Sequence, residues 1–203
     1  MKAATIILLG SLLAACAGAR SAHQYYVLEA SPPPAVQASG AIAAPTLLVA
    51  PTTALALYDT QDIVYSRARG TRAYFQLNRW TEPPGRRLDT LLVERLAGSG
   101  MFRSVAAATD GVRGRWILSA HLEEMYLDAS TSPGITHIEM TVVLTDPARH
   151  SIDGRHRFVA SAPATSPDAA GAVQGFDVAL GPLLDQVADW ARDTTAARSG
   201  GAP

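Results

Sequence analysis

A single cysteine in 203 residues leaves this chain without an internal disulfide, and once that thiol is capped it also excludes thiol catalysis and cysteine-ligated metal. Lysine is as scarce. Lys2 is the only one, and the remaining sixteen cations are arginines set against eighteen carboxylates, a balance of about −2 without Lys2. Neither sign dominates and no arginine cluster runs along one predicted face, so the electrostatic footprint of nucleic-acid binding is missing. No apolar run reaches the roughly 20 residues that a bilayer span requires. The chain lacks a Gly-x-Ser-x-Gly elbow, and Gly98-Ser99-Gly100 reads instead as helix termination. A Gly-x-x-x-x-Gly-Lys loop is absent too, so any ATP hydrolysis belongs to a partner.

What is present begins with Leu13-Ala14-Ala15-Cys16, the lone cysteine placed just behind an apolar run and two small residues. Lys2 supplies a positive start, Ala3 to Leu13 the apolar stretch, and Ala14-Ala15 a small-residue cleavage site. This reads as a lipoprotein signal with lipidation at Cys16. Two other readings exist: plain secretion, because Ala15-Cys16-Ala17 also fits an A-x-A cleavage site, and a buried structural cysteine, for which a segment behind a hydrophobic leader offers no core. Two or three acyl chains at about 0.8 kcal/mol per CH₂ exceed the two-signal threshold for stable anchoring.

The expected division is a signal at 1–15, a lipidated tether at 16–23, one domain at 24–192 and a disordered tail at 193–203. Ala17 to His23 reaches about 25 Å when fully extended, which holds the domain close to a membrane. Hydrophobic content of 48% against 17% charged residues supports a real core.

Alternation and turn residues predict a mixed sheet. Gln24 to Glu29 has strand composition, Leu47-Leu48-Val49-Ala50 suits a strand buried on both faces, and Asp62 to Ser66 with Ala73 to Leu77 form a hairpin around Arg69-Gly70-Thr71. Leu88, Leu91, Leu92 and Leu96 recur at helical spacing, which predicts a helix over 84–97. Phe102 to Ala107 is the next strand, consistent with a parallel crossover. Three longer strand patterns then make an antiparallel meander. In the first, the apolar set moves from Trp116, Leu118, Ala120 and Leu122 to Met125 and Leu127, and that phase change predicts a bulge near Glu123-Glu124. The third, about Arg155 to Ala162, is the weakest. A last helix carries Val173, Phe176, Leu180, Leu183, Leu184, Val187 and Trp190 as one stripe, with Pro182 predicting a kink or break. The fold class expected is α/β: a single domain with a mixed sheet, an antiparallel meander in its second half, and packing by a middle helix and a C-terminal helix.

The residues best suited to metal chemistry are His121-Leu122-Glu123 and His137-Ile138-Glu139 on neighbouring predicted strands. Residues two apart in a strand point the same way, so in favourable register four N/O ligands would converge on a divalent ion, as in a lipid-anchored hydrolase. The simpler reading places both pairs on the polar face of the sheet, solvated or cross-paired, with no catalytic site and no cofactor.

Tyr25-Tyr26-Val27-Leu28 after the leader, Leu47-Leu48-Val49 before proline, Ile63-Val64-Tyr65-Ser66-Arg67, Phe75-Gln76-Leu77-Asn78-Arg79-Trp80 and the leucine-rich helix 84–97 together resemble the ABC-type transport auxiliary lipoprotein component family, which includes the paraquat-inducible protein C type. The resemblance implies a compact α/β sandwich without enzymatic activity. It also implies a periplasmic lipoprotein working with an ABC transporter permease and ATPase and with a mammalian-cell-entry (MCE) domain protein in moving lipids between inner and outer membranes. The uncharged Ala17 resembles outer-membrane cargo. A homo-oligomeric ring would suit a collar around the partner's channel. Tyr65, Arg67 and Trp80 are the signature residues, either packing the hairpin against the sheet or forming an interaction surface. A stand-alone periplasmic ligand-binding lipoprotein is the further alternative.

Overall fold

The computed structural model describes residues 22–32 and 44–199. Its spine is a thirteen-residue strand, β7 (Trp116–Asp128), whose two edges are used differently. Along one edge it pairs antiparallel with β8 (Ile135–Asp146), which pairs in turn with β9 (Ser151–Pro163). Along the other it receives three short strands end to end, all parallel: β2 (Leu47–Val49), β3 (Thr53–Ala54) and β4 (Asp62–Ser66). Beyond β4 lie β5 (Ala73–Trp80) and β1 (Gln24–Tyr26), and beyond β2 lies β6 (Val105–Ala107). The sheet is therefore mixed, as expected, with a continuous meander on one side of the spine and a divided half on the other.

The alternation read from the sequence decides which face is covered. Trp116, Leu118, Leu122, Met125 and Leu127 of β7 and Ile138, Met140, Val142 and Leu144 of β8 are all buried. Two helices close over them: α1 (Pro84–Gly98), packed on β2 and β6, and α2 (Ala169–Ser199), packed on β8 and β9. The anticipated bulge is present, since the β7–β8 register shifts between Leu122 and Glu124. One extra residue there returns the apolar set to the covered face and turns Glu123 and Glu124 outward together.

Several boundaries differ from expectation, each for a packing reason. β1 stops at Tyr26, because Leu28 turns into the core and the following residues cross the helices instead of continuing the sheet. Only Val105–Ala107 of the 102–107 segment joins the sheet, although Phe102 makes a single parallel bridge with Ala44. β9 starts at Ser151, earlier than its composition suggests, because the long edge of β8 is there to template it. The last helix does not end at Arg192: it continues to Ser199, with Thr195 buried and hydrogen-bonded back to Ala191. Nor does Pro182 break it. Pro182 and Val178 are exposed, so the carbonyl left without its N–H donor faces water, while Phe176, Leu180, Leu183 and Leu184 hold both sides of the proline in the core.

Candidate functional site

On the uncovered face, β3, β7, β8 and β9 surround a shallow depression of about 640 Å³ lined by Thr53, Ser119, His121, Glu123, Thr141 and Arg157 among others. Register sets its chemistry. His121, Thr141 and Arg157 stand abreast across three strands, and Glu124, Glu139 and Val159 form the second row beyond, past the bulge. His121 Nδ1 lies 2.7 Å from Thr53 Oγ1, and Thr141 Oγ1 donates to Glu123 at 2.6 Å. The Arg157 guanidinium donates to Glu139 and lies 3.8 Å from Glu123. The Thr141 hydrogen bond holds the Glu123 carboxyl below its ordinary range, whereas burial pushes Glu139 up.

His137 stands apart from this group. It pairs with Tyr126 and Ser161, four residues along β8 from the level of His121, or about 13 Å at the rise of a strand. Its ring stacks on Tyr126 with centroids 5.1 Å apart, and its Nδ1 lies 3.0 Å from Ser161 Oγ. The structure thus brings Glu123 and Glu139 to one arginine and leaves the two histidines separated. Among the described residues no group of three or more His, Cys, Asp or Glu side chains is placed to hold a metal ion. What the arrangement does is fasten: Arg157 ties the edge strand β9 to carboxylates on β7 and β8.

The signature residues of the hairpin divide between core and surface. Trp80 is buried, its ring 5.8 Å from that of Phe176 on α2. Tyr65 is half-buried against Phe75 at 4.6 Å, with the exposed Arg67 guanidinium 5.2 Å above its ring. Sequence reasoning passed over Arg72, which does more to join the hairpin to the spine. Its guanidinium sits 3.6 Å from the Tyr126 ring centroid and contacts Tyr58 Oη and Glu124, each at 3.3 Å. Burial raises both Tyr58 and Tyr126 above the ordinary phenol range. The outward turn of Glu124 at the bulge was the one sequence signal that pointed here.

The N-terminal segment supplies the remaining functional geometry. Cys16 and most of its tether lie outside the described residues, but the chain enters the fold at β1 and then crosses α1 and α2 as a strap. Arg87 Nε donates to Leu28 O at 2.8 Å, and Glu29 N–H donates to Asp177 Oδ1 at 2.9 Å. Arg95, buried between the helices, donates both to Ser31 O and, at 2.7 Å, to Asp185. Gly181 makes room for the crossing, since a Cβ there would lie 3.1 Å from Ser31 Cβ. Burial pushes the Asp177 carboxyl up to about 6 against the opposing pull of the Glu29 N–H. A pull on the chain ahead of β1 would therefore be distributed across β1, the strap and both helices.

Comparison with known proteins agrees with this architecture. A crystal structure of a Xanthomonas campestris protein of the DUF330 family superposes with a TM-score of 0.78 at 20% identity, covering 87% of this chain and 99% of that one. A second crystal structure, of an uncharacterised protein, gives a TM-score of 0.63 at 14% identity over 85% of this chain and 98% of that one. At such identities the likeness is one of fold. No curated protein matches the sequence. The family model described as ABC-type transport auxiliary lipoprotein component matches residues 26–188, a span from the end of β1 into the second half of α2, and the chain belongs to that family.

Proposed function

We propose that this protein is a periplasmic lipoprotein, held at the outer membrane through acyl chains on Cys16, that acts as the docking subunit of an MCE-type ABC system moving lipids between the two membranes. The observation that carries this reading is the coincidence of a lipobox, Leu13-Ala14-Ala15-Cys16, with a domain of a transport auxiliary lipoprotein family directly behind it. Ala17, uncharged, supports delivery to the outer membrane in bacteria that sort by this residue. The strap supports a mechanical role, because it gives the anchor a firm root in the helical layer. The permease and ATPase supply the transport energy, and this subunit supplies a fixed point and a protein surface for the MCE partner. It holds no cofactor in this scheme and assembles as a homo-oligomer around the partner's channel.

Intact mass of the protein from the membrane fraction is expected to show a chain beginning at Cys16 with added acyl mass. A chain beginning at Gly18 without lipid would remove the anchor. Crosslinking in intact cells before purification is expected to recover an MCE-domain protein, and consistent failure to recover one would sink the docking role.

A further inference from the structure

We infer that the outward face of the β1–β5 edge is a membrane-contact surface, seated in the headgroup region of the same bilayer that holds the anchor. The inference rests on the anchored reading above and adds to it an orientation and a lipid surface as partner.

Four large side chains that a water-facing sheet edge has no need of are exposed here: Tyr25 at 56%, Val27 at 44%, Leu77 at 43% and Tyr74 at 41%. Backbone pairing spreads them along this edge: Val27 follows β1, Tyr25 and Leu77 lie near its junction with β5, and Tyr74 lies nearer the hairpin turn, paired with Val64. Tyr25 stands beside Arg79 in the parallel β1–β5 register, two residues from Leu77. The β4–β5 register also shifts, two steps from Asp62 to Val64 facing five from Arg79 to Tyr74, so β5 carries extra residues. At that irregularity Gln76 and Leu77 are exposed in succession, next to Tyr74. The hairpin turn adds Arg67 and Arg69, both exposed and neither paired with a carboxylate among the described residues.

Tyrosine, small aliphatics and unpaired arginine suit a bilayer interface. Tyrosine places an apolar ring at headgroup depth with its hydroxyl in water, and arginine is drawn to anionic phosphate. The length of chain outside the structure selects lipid over other occupants. Tyr25 is nine residues from Cys16, so at full extension it lies within about 30 Å of the acylated residue. Tethering of this kind raises the effective concentration of membrane at the patch to the millimolar range, enough for a contact too weak to hold by itself.

The chain's lone cysteine makes the test direct. With Cys16 acylated, Gln76→Cys introduces a unique thiol on the patch and Arg155→Cys one on β9, at the opposite side of the sheet. Each full-length lipidated protein, labelled with a polarity-sensitive fluorophore, is placed in phosphatidylethanolamine–phosphatidylglycerol vesicles carrying a headgroup-level nitroxide. The label at 76 is expected to be blue-shifted and quenched severalfold more than the label at 155, and adding Tyr25→Ser and Leu77→Ser should abolish most of that excess. Equal quenching at the two positions in vesicle-bound protein would overturn the membrane contact while leaving the anchor intact. Protein that fails to float with the vesicles would overturn the anchor, and this inference with it. A label at 76 that is shielded in native membranes and water-exposed in pure lipid would overturn it in favour of a protein occupant.

Discussion

Gly134, just before β8, has φ of 99°, and a Cβ there would lie 2.7 Å from the carbonyl oxygen of Asp128. Gly111 also has a positive φ, 72°, but nothing stands within 4 Å of its missing Cβ. Gly134→Ala is expected to cost about 1–3 kcal/mol and Gly111→Ala about 1, read from urea unfolding, because only the first adds a collision to the backbone strain. Equal losses would show that the collision relaxes freely. Single residues were legible in the sequence only where their pattern was local. The His-x-Glu pairs were visible, but whether they converge depends on the alignment of β7 with β8, which places His137 opposite Tyr126 and His121 opposite Thr141. Trp80 stood out by its type, yet its place against Phe176 joins residues almost a hundred positions apart.

Among the elements, the strap and α2 are coupled through two side chains. Arg95→Ala removes the donors to Ser31 O and Asp185 and is expected to lower stability by about 2 kcal/mol or more, below the full cost of breaking a buried pair because Asp185 is partly solvated. It should also expose residues 27–32 to protease before the domain unfolds, which limited proteolysis would detect; cleavage only on global unfolding would argue against a separable strap. Asp177 adds a pH dependence of definite sign. Its ordinary value is 3.8 and its folded value about 6, so the folded state favours the protonated form. The resulting contribution to stability is full below about pH 4 and is lost as pH rises through about 6. Asp177→Asn keeps an acceptor for the Glu29 N–H and removes the titration. The wild type should therefore gain stability relative to this variant between pH 7 and pH 5 in parallel urea melts, and a constant difference would refute the assignment.

At the scale of the whole molecule, β7 pairs with β2, β3 and β4 on one edge and β8 on the other, and α2 reaches across to Trp80 through Phe176. A loss at this junction should be felt everywhere. Phe176→Ala is expected to cost about 3–5 kcal/mol. Because both halves of the sheet hydrogen-bond to one strand, unfolding should remain a single transition by near- and far-UV circular dichroism. Two separated transitions would mean that the meander and the divided half fold independently.

By itself the sequence determined both helices and most of the strands, the buried faces of β7 and β8 and the bulge at Glu123-Glu124, since all of these are written in spacings of a few residues: period two in a strand, 3.6 in a helix, and a phase change where one residue is added. Tertiary structure alone decided that three short strands share one edge of β7, that β9 lengthens along its template, and that α2 continues past Pro182 and Arg192. It alone decided that residues 28–31 strap the helices. These outcomes depend on backbone partners and buried surface brought from distant parts of the chain, and such contacts leave no periodic trace in the residues that make them.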